Sequence, residues 1–299
     1  MVKAQLGAVI QPLFVLLWAS AFIAGIIGVG AAPSLMVLFA RFGFASIGLV
    51  LYARLVRATW PTRAELPHVI VAGLLMQIVQ FGGFYTAMGQ HVPGAVVALV
   101  QGLSPVLIAL FAGFLGETVT ARQWFGFVIG GVGVALAVAD QTSLSLTGLA
   151  LCGVGLLGLS LGTVYQKRFV PTVDSRAATA VHMMASAPVA GLLAWATGQL
   201  HIWDGGRFAA SLVWMVLINS MVGFLMFNWM LRRWDATKVS RLLFATPAAT
   251  AILAWLAVGQ PLRPLTIAGL AVGLIGMVFA SRKATKPAPV PSPEPVAVR

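Results

Sequence analysis

The sequence predicts an all-α membrane protein: ten transmembrane helices in two inverted five-helix repeats. Three observations predict it. Charge is too scarce for a soluble surface, about ten apolar segments reach spanning length, and basic residues gather on one side of them. The 299 residues are 60% hydrophobic and 9% charged, with a mean hydropathy of +0.96. A soluble domain is about 25% charged. The composition therefore excludes most soluble enzymes, secreted disulfide scaffolds and disordered chains, and leaves the bilayer as solvent.

A helix rises 1.5 Å per residue, so about 20 apolar residues cross a hydrocarbon core of about 30 Å. Charges and turn-forming residues divide the chain into segments of roughly that length. The first, 7–29, follows Lys3 and ends at Gly30. It is too long for a signal-peptide core and reads as a retained span. The second, 35–56, closes on Arg54 and Arg57, and the third, 67–89, opens after Arg63. The fourth, 93–115, runs to Gly116-Glu117, and Arg122 marks the start of the fifth, 121–139. The sixth, 146–167, ends at Lys167-Arg168, and Arg176 precedes the seventh, 177–198. Arg207 precedes the eighth, 209–231, which closes on Arg232-Arg233. Lys238 and Arg241 lie at the head of the ninth, 237–258, and Arg263 precedes the tenth, 264–281. Residues 1–141 and 142–283 form the two repeats. Residues 284–299 form a Pro-rich tail with too little apolar surface to fold.

The net charge is +12. With the N-terminus in the cytoplasm, nearly every Lys and Arg falls on the inner side. Only Arg207 and Arg263 fall outside, and Arg41 lies within a span. This positive-inside bias predicts a multi-pass membrane protein with both termini cytoplasmic. It also accounts for the charge without nucleic acid. The single cysteine, Cys152, rules out intramolecular disulfides and cysteine-rich zinc sites and reads as core packing.

The halves repeat. SPVLIALFAGFLG aligns with TPAATAILAWLAVG, so Ser104-Pro105 lands on Thr246-Pro247. After a one-residue slip, Gly116, Gly126, Gly130 and Gly133 land on Gly259, Gly269, Gly273 and Gly276. Five spans is an odd number, so the second half enters from the opposite side, a construction common in secondary transporters.

The segment FYTAMGQHVPGAVVALVQGLSPVLIALFAGFLGETVTARQWFGFVIGGVGVALA resembles the signature region of the EamA family, in the drug/metabolite transporter superfamily. LLWASAFIAG and the Arg41-Phe42 pair strengthen the resemblance. It implies ten spans, two EamA repeats and metabolite export. Within the family, the chain is similar to bacterial exporters of aromatic and other neutral amino acids. One departure is Gly259-Gln260, where the first repeat carries the family's Gly116-Glu117 pair.

The seven carboxylates are Glu65, Glu117, Asp140, Asp174, Asp204, Asp235 and Glu294, and all fall in expected loops, span ends or the tail. An acid at membrane depth is the usual proton relay or cation site. Its absence argues against capture of cationic drugs and leaves His182, at the repeat position of Arg41, as the titratable group inside a span. A facilitator or exchanger is the preferred reading, and a proton-coupled drug or metabolite exporter the alternative. No carboxylate dyad or Ser-His set supports an intramembrane enzyme, and no cofactor or metal is implied. Arg41 either snorkels or bonds carbonyls, or meets a substrate carboxylate.

Candidate substrate contacts are Gln101 and the shared face of Gln77, Gln80, Phe81 and Phe84, with Asn219 at the repeat position of Gln77. Uncharged amides bond both ammonium and carboxylate groups. Trp18, flanked by Phe14 and Phe22, offers an apolar wall, and Ser160 and Thr163 are weaker candidates. Trp60, Trp124, Trp203 and Trp234 fit interfacial belts. Pro105 and Pro247 are expected to kink the fourth and ninth spans and to act as hinges. Gly126-x-x-x-Gly130 and Gly269-x-x-x-Gly273 mark close packing elements and a candidate dimer face, in a monomer or weak homodimer.

The orientation is directly testable. In a Cys152→Ser background, cysteine introduced by Arg57→Cys or Arg168→Cys is expected to react with a membrane-impermeant maleimide only in inverted vesicles. Arg207→Cys is expected to react only in intact cells. The reverse pattern refutes the orientation.

Overall fold

Apolar side chains alone do not choose a helix. In lipid the backbone does, because every N–H and C=O needs an internal partner and a helix supplies one. A computed structural model shows the outcome for residues 2–113, 120–139, 146–234, 239 and 242–281, all helix or short connection, with no strand among them. The tail, Gly116, Glu117, Asp140, Asp235 and the 141/142 repeat boundary lie outside the described residues.

Helix α1 is Val2–Val29 and α2 is Ser34–Leu55. Helix α3 joins Leu66–Leu74, a π-helical segment Leu75–Val79, and Gln80–Gly89. Helix α4 comprises Gly94–Gly102 and Ser104–Gly113, broken at Leu103. Then follow α5 (Ala121–Ala139), α6 (Leu146–Phe169) and α7 (Ser175–Ala196). Helix α8 runs through Gly205–Val213, a π-helical Trp214–Gly223 and Phe224–Arg233, before α9 (Thr246–Val258) and α10 (Pro264–Ser281). Eight of these are long and apolar enough to cross a membrane, and α9 and α10 are shorter apolar helices. Asp174 and Asp204 cap α7 and α8, accepting from the amides of Arg176 and Arg207 at 2.9 and 3.0 Å.

The two prolines do not kink continuous helices as expected. Each stands second in a helix that restarts after a break. The Leu103 amide donates to Val100 O at 3.0 Å, and the Ala245 amide to Leu242 O at 3.1 Å, both three residues back. Helix then resumes at Ser104 and at Thr246. The first turn of a helix needs no N–H from its proline, so ending and restarting avoids the clash of an interior proline.

Lipid gives apolar helices no hydrophobic reason to associate, so close approach must hold them together. Helices α5 and α10 meet glycine against backbone. A Cβ on Gly133 would lie 2.5 Å from Gly273 N, and one on Gly276 would lie 2.7 Å from Gly130 N. Gly126 also meets Gly276 and Gly269 also meets Gly133, so the crossing is antiparallel and reciprocal. These glycines are filled within the chain. Leu103 and Leu99 of α4 sit over Gly130 and Gly273. Helices α2 and α7 also cross antiparallel, Phe39 against Gly191 and Ala53 beside Ala177. Gly155 and Gly158 let α6 approach the α3 backbone at Gln80. Large apolar residues such as Leu55, Leu192, Trp195 and Ile275 face outward, as lipid contact requires.

Gly133→Leu is expected to destabilise the protein by about 1–3 kcal/mol through overpacking. At Gly131 an added Cβ would meet nothing within 4 Å, so leucine there should be almost neutral. Thermal unfolding of the two variants in detergent compares them.

Candidate functional site

A cavity of about 120 Å³ lies among five helices. Its walls are Leu17, Trp18, Ala21 and Phe22 of α1; Arg41 of α2; Phe81, Phe84, Tyr85 and Met88 of α3; Gln101 of α4; and Asn219 and Gly223 of α8. A single water needs only about 10–15 Å³ by the same measure, so a small organic solute fits. The lining is mostly apolar and aromatic, with a few polar groups to orient a guest, as ligand sites generally are.

Arg41 dominates the polar side. It is 5% exposed and does not snorkel. Its Nη1 donates to Tyr85 Oη at 2.7 Å, and Tyr85 Oη donates to Met215 Sδ at 3.0 Å. Its guanidinium lies 4.5 Å from the Phe81 ring centroid, a cation–π contact worth about 0.5–2 kcal/mol. Phe81 in turn packs edge-on against Tyr85 and Phe42. Among the described residues no carboxylate or backbone carbonyl accepts from Arg41, and its Nε is buried without a partner. An aromatic tyrosine-tipped cradle therefore replaces both carbonyl bonding and exposure.

Asn219 lies opposite in sequence terms, in the second half of the chain. Its Nδ2 donates to Leu17 O at 2.8 Å and to Ser20 Oγ at 3.3 Å, fixing α8 to α1. Its Oδ1 is buried and unpartnered. Trp18 packs on Phe14 and Phe227 at ring distances of 5.4 and 5.8 Å, so one face of the wall is held rigid.

The expected face of α3 splits. Phe81 and Phe84 line the cavity, whereas Gln77 and Gln80 are buried outside its lining. Gln77 lies inside the π-helical segment Leu75–Val79, whose wide turn breaks the 3.6-residue period between it and Phe81. Gln80 opens the regular helix that carries Phe81 and Phe84, its backbone packed against Gly155 and Gly158 of α6. Gln77 Oε1 has no partner. Gly73, one turn earlier, touches His182, which is buried with its Nε2 unpartnered. Ser160 is fully buried with an unpartnered hydroxyl, and Thr163 Oγ1 donates to Leu159 O at 2.7 Å, spending its hydrogen bond on the preceding turn. Neither lines the cavity.

Sequence reasoning missed Tyr85 and Met88. They continue the stripe of Phe81 and Phe84 at helical spacing, and a tyrosine one turn from a stacked phenylalanine is the signal that points at Arg41. Outside the spans, the Arg176 side chain bonds Asp174 and holds its carboxyl below the ordinary aspartate value. The Thr62 amide and hydroxyl do the same for Glu65. Among the described residues no three of His, Cys, Asp and Glu gather closely enough to hold a metal ion.

Residues 5–139 and 146–282 each match the EamA-like transporter family. The chain belongs to the EamA-like transporter family. It thus carries two EamA repeats and is a multi-pass membrane transporter. It is 25% identical to an uncharacterized transporter of Bacillus subtilis, YvbV, over 78% of this chain and 76% of that one. It is 25% identical to a probable terminal-alkyne amino-acid exporter of Streptantibioticus cattleyicolor, over 91% of this chain and 92% of that one. An uncharacterized transporter of Archaeoglobus fulgidus is 23% identical over 92% of this chain and 98% of its own. A solved crystal structure shares the fold, with a TM-score of 0.65 at 20% identity, covering 91% of this chain and 94% of that one. In this EamA transporter the cavity draws its walls from both family repeats, α1–α4 from the first and α8 from the second.

Tyr85→Phe removes the acceptor of Arg41 Nη1 and is expected to cost about 1–3 kcal/mol of stability. Adding Arg41→Met should recover most of that loss, a non-additivity readable by thermal unfolding in detergent.

Proposed function

We propose that this EamA transporter exports neutral amino acids, aromatic ones foremost, across a bacterial plasma membrane by alternating access. Ten membrane helices in two inverted repeats, 1–141 and 142–283, would move against each other, with both termini cytoplasmic. The observation that carries this reading is the cavity itself. Aromatic walls from Trp18, Phe81 and Phe84 meet the uncharged amides of Gln101 and Asn219, and among the described residues no carboxylate lines it. A zwitterion with an apolar side chain matches that mixture. The relative named as a probable terminal-alkyne amino-acid exporter supports the same class.

Several features support two inverted halves. Helices α5 and α10, and α2 and α7, cross antiparallel. Helices α4 and α9 both restart just before a proline. The π-helical segments fall at repeat-related places, one holding Gln77 and the other Asn219. Breaks and π turns at matched depth are natural hinges for the two halves, so Pro105 and Pro247 keep a hinge role as helix starts rather than kinks. A cavity lining without a carboxylate among the described residues supports a facilitator or exchanger, and the glycine faces filled within the chain support a monomer.

Purified protein in liposomes, offered labelled neutral amino acids, purine bases and cationic drugs, tests the reading. Saturable flux of phenylalanine is expected. Trp18→Ala should lower kcat/KM at least about tenfold, in line with an aromatic contact of roughly 1.5–3 kcal/mol. Flux confined to cationic drugs would overturn the substrate class. Accumulation driven by a pH gradient would overturn the facilitator and promote His182 to a coupling group.

A further inference from the structure

We infer that Arg41 and Asn219 are the two poles of an α-amino-acid site, Arg41 receiving the carboxylate and Asn219 Oδ1 the ammonium. The inference rests on the amino-acid reading above and deepens it to a binding orientation.

Both residues line one cavity, and each carries a buried polar atom without a partner. The two atoms are chemically opposite. Arg41 Nε can only donate, because a guanidinium has five N–H donors and no acceptor. Asn219 Oδ1 can only accept. The amide orientation is fixed, since Nδ2 donates to a backbone carbonyl, that of Leu17. Turning the amide over would set oxygen against oxygen. A buried polar atom left unpaired is costly, and neither atom is open to solvent in this conformation, so the cost is relieved when the cavity widens to admit a ligand group of complementary chemistry.

The surroundings select the charges. Tyr85 occupies Arg41 Nη1, and Phe81 lies beneath the guanidinium, so the group is held in place before any ligand arrives. A planar guanidinium recognises a carboxylate through paired hydrogen bonds. Among the described residues Arg41 is the one cation in the lining, so a second carboxylate on the ligand would find no counter-charge. A cation without a carboxylate meets the charge of Arg41 and no acid. Trp18 forms an apolar wall of the same cavity, the place for an uncharged side chain. The structure thus selects a zwitterion over an amine, an amide or a diacid.

Isothermal titration of the full-length protein in detergent tests this with three probes. These are L-phenylalanine, L-phenylalaninamide, which lacks the carboxylate, and 3-phenylpropanoate, which lacks the ammonium. Phenylalanine should bind the wild type roughly 10- to 100-fold more tightly than phenylalaninamide, the range for a hydrogen-bonded charge. The preference over 3-phenylpropanoate should be smaller, because Asn219 is neutral. Arg41→Gln should abolish the preference over the amide, and Arg41→Lys should restore part of it. Asn219→Leu should abolish only the preference over 3-phenylpropanoate. The probe series on wild type needs no variant to fold. Equal binding of phenylalanine and its amide, or a preference that survives Arg41→Gln, would overturn the inference. Binding in the expected pattern without flux in liposomes would refute export and leave the two poles standing. Phenylalanine flux with binding indifferent to Arg41 would do the opposite.

Discussion

A bilayer gives apolar side chains no reason to leave it, and this constraint governs how the chain holds itself together. Leucine against leucine between helices gains little over leucine against lipid. What remains is close contact and polar pairing. The α5–α10 crossing uses the first: glycines let two backbones approach until a methyl group would not fit between them. The contact is reciprocal, and its notches are completed by Leu99 and Leu103 of α4. Thus the break in α4 is seated on the same small-residue platform that joins the two family repeats. Close packing at this seam leaves the cavity to the other helices, α1–α4 and α8.

Polar groups are few at this depth, and their treatment is uneven. Ser20, Trp214 and the Asn219 amide nitrogen form a bonded cluster at Leu17 O, tying α8 to α1. Arg41 and Tyr85 satisfy one another in part. Other buried atoms, on Gln77, His182, Ser160 and Ser186, have no partner in the structure. Those on Arg41 and Asn219 differ in belonging to residues that line one cavity. A transporter that binds and releases its cargo needs polar groups that are not fully satisfied by the protein, because a saturated site would have nothing to offer a guest.

Much of this was legible in the sequence. The spans were readable because twenty apolar residues bounded by charges mean the same thing wherever they occur. The paired glycines predicted close packing, and backbone contact between the fifth and tenth helices is what they produce. Trp18, Gln101 and Asn219, read from depth, a proline-freed carbonyl and repeat position, line one cavity. The errors have local causes. Hydrophobic periodicity assumes 3.6 residues per turn, and Leu75–Val79, which holds Gln77, does not obey it, so Gln77 lies outside the cavity that Phe81 and Phe84 line. Arg41 was readable as a buried charge but not as a tyrosine-bonded one, because its partner is on another helix. The prolines were recognised as interruptions, while the choice between bending and restarting depends on how neighbouring residues pack.

The π-helical segment of α3 makes the site depend on helix winding as well as residue type. Each residue advances an α-helix by about 100° around its axis. Wound as an ordinary α-helix with the same number of residues, Leu75–Val79 would turn further than it does with its wide turn. Everything beyond it would then rotate by a large part of that angle. Phe81 and Tyr85 would swing away from Arg41 with every side chain unchanged in identity. The angular phase of one helix, set by the width of its turns, is what seats Phe81 and Tyr85 against an arginine that no carboxylate meets among the described residues.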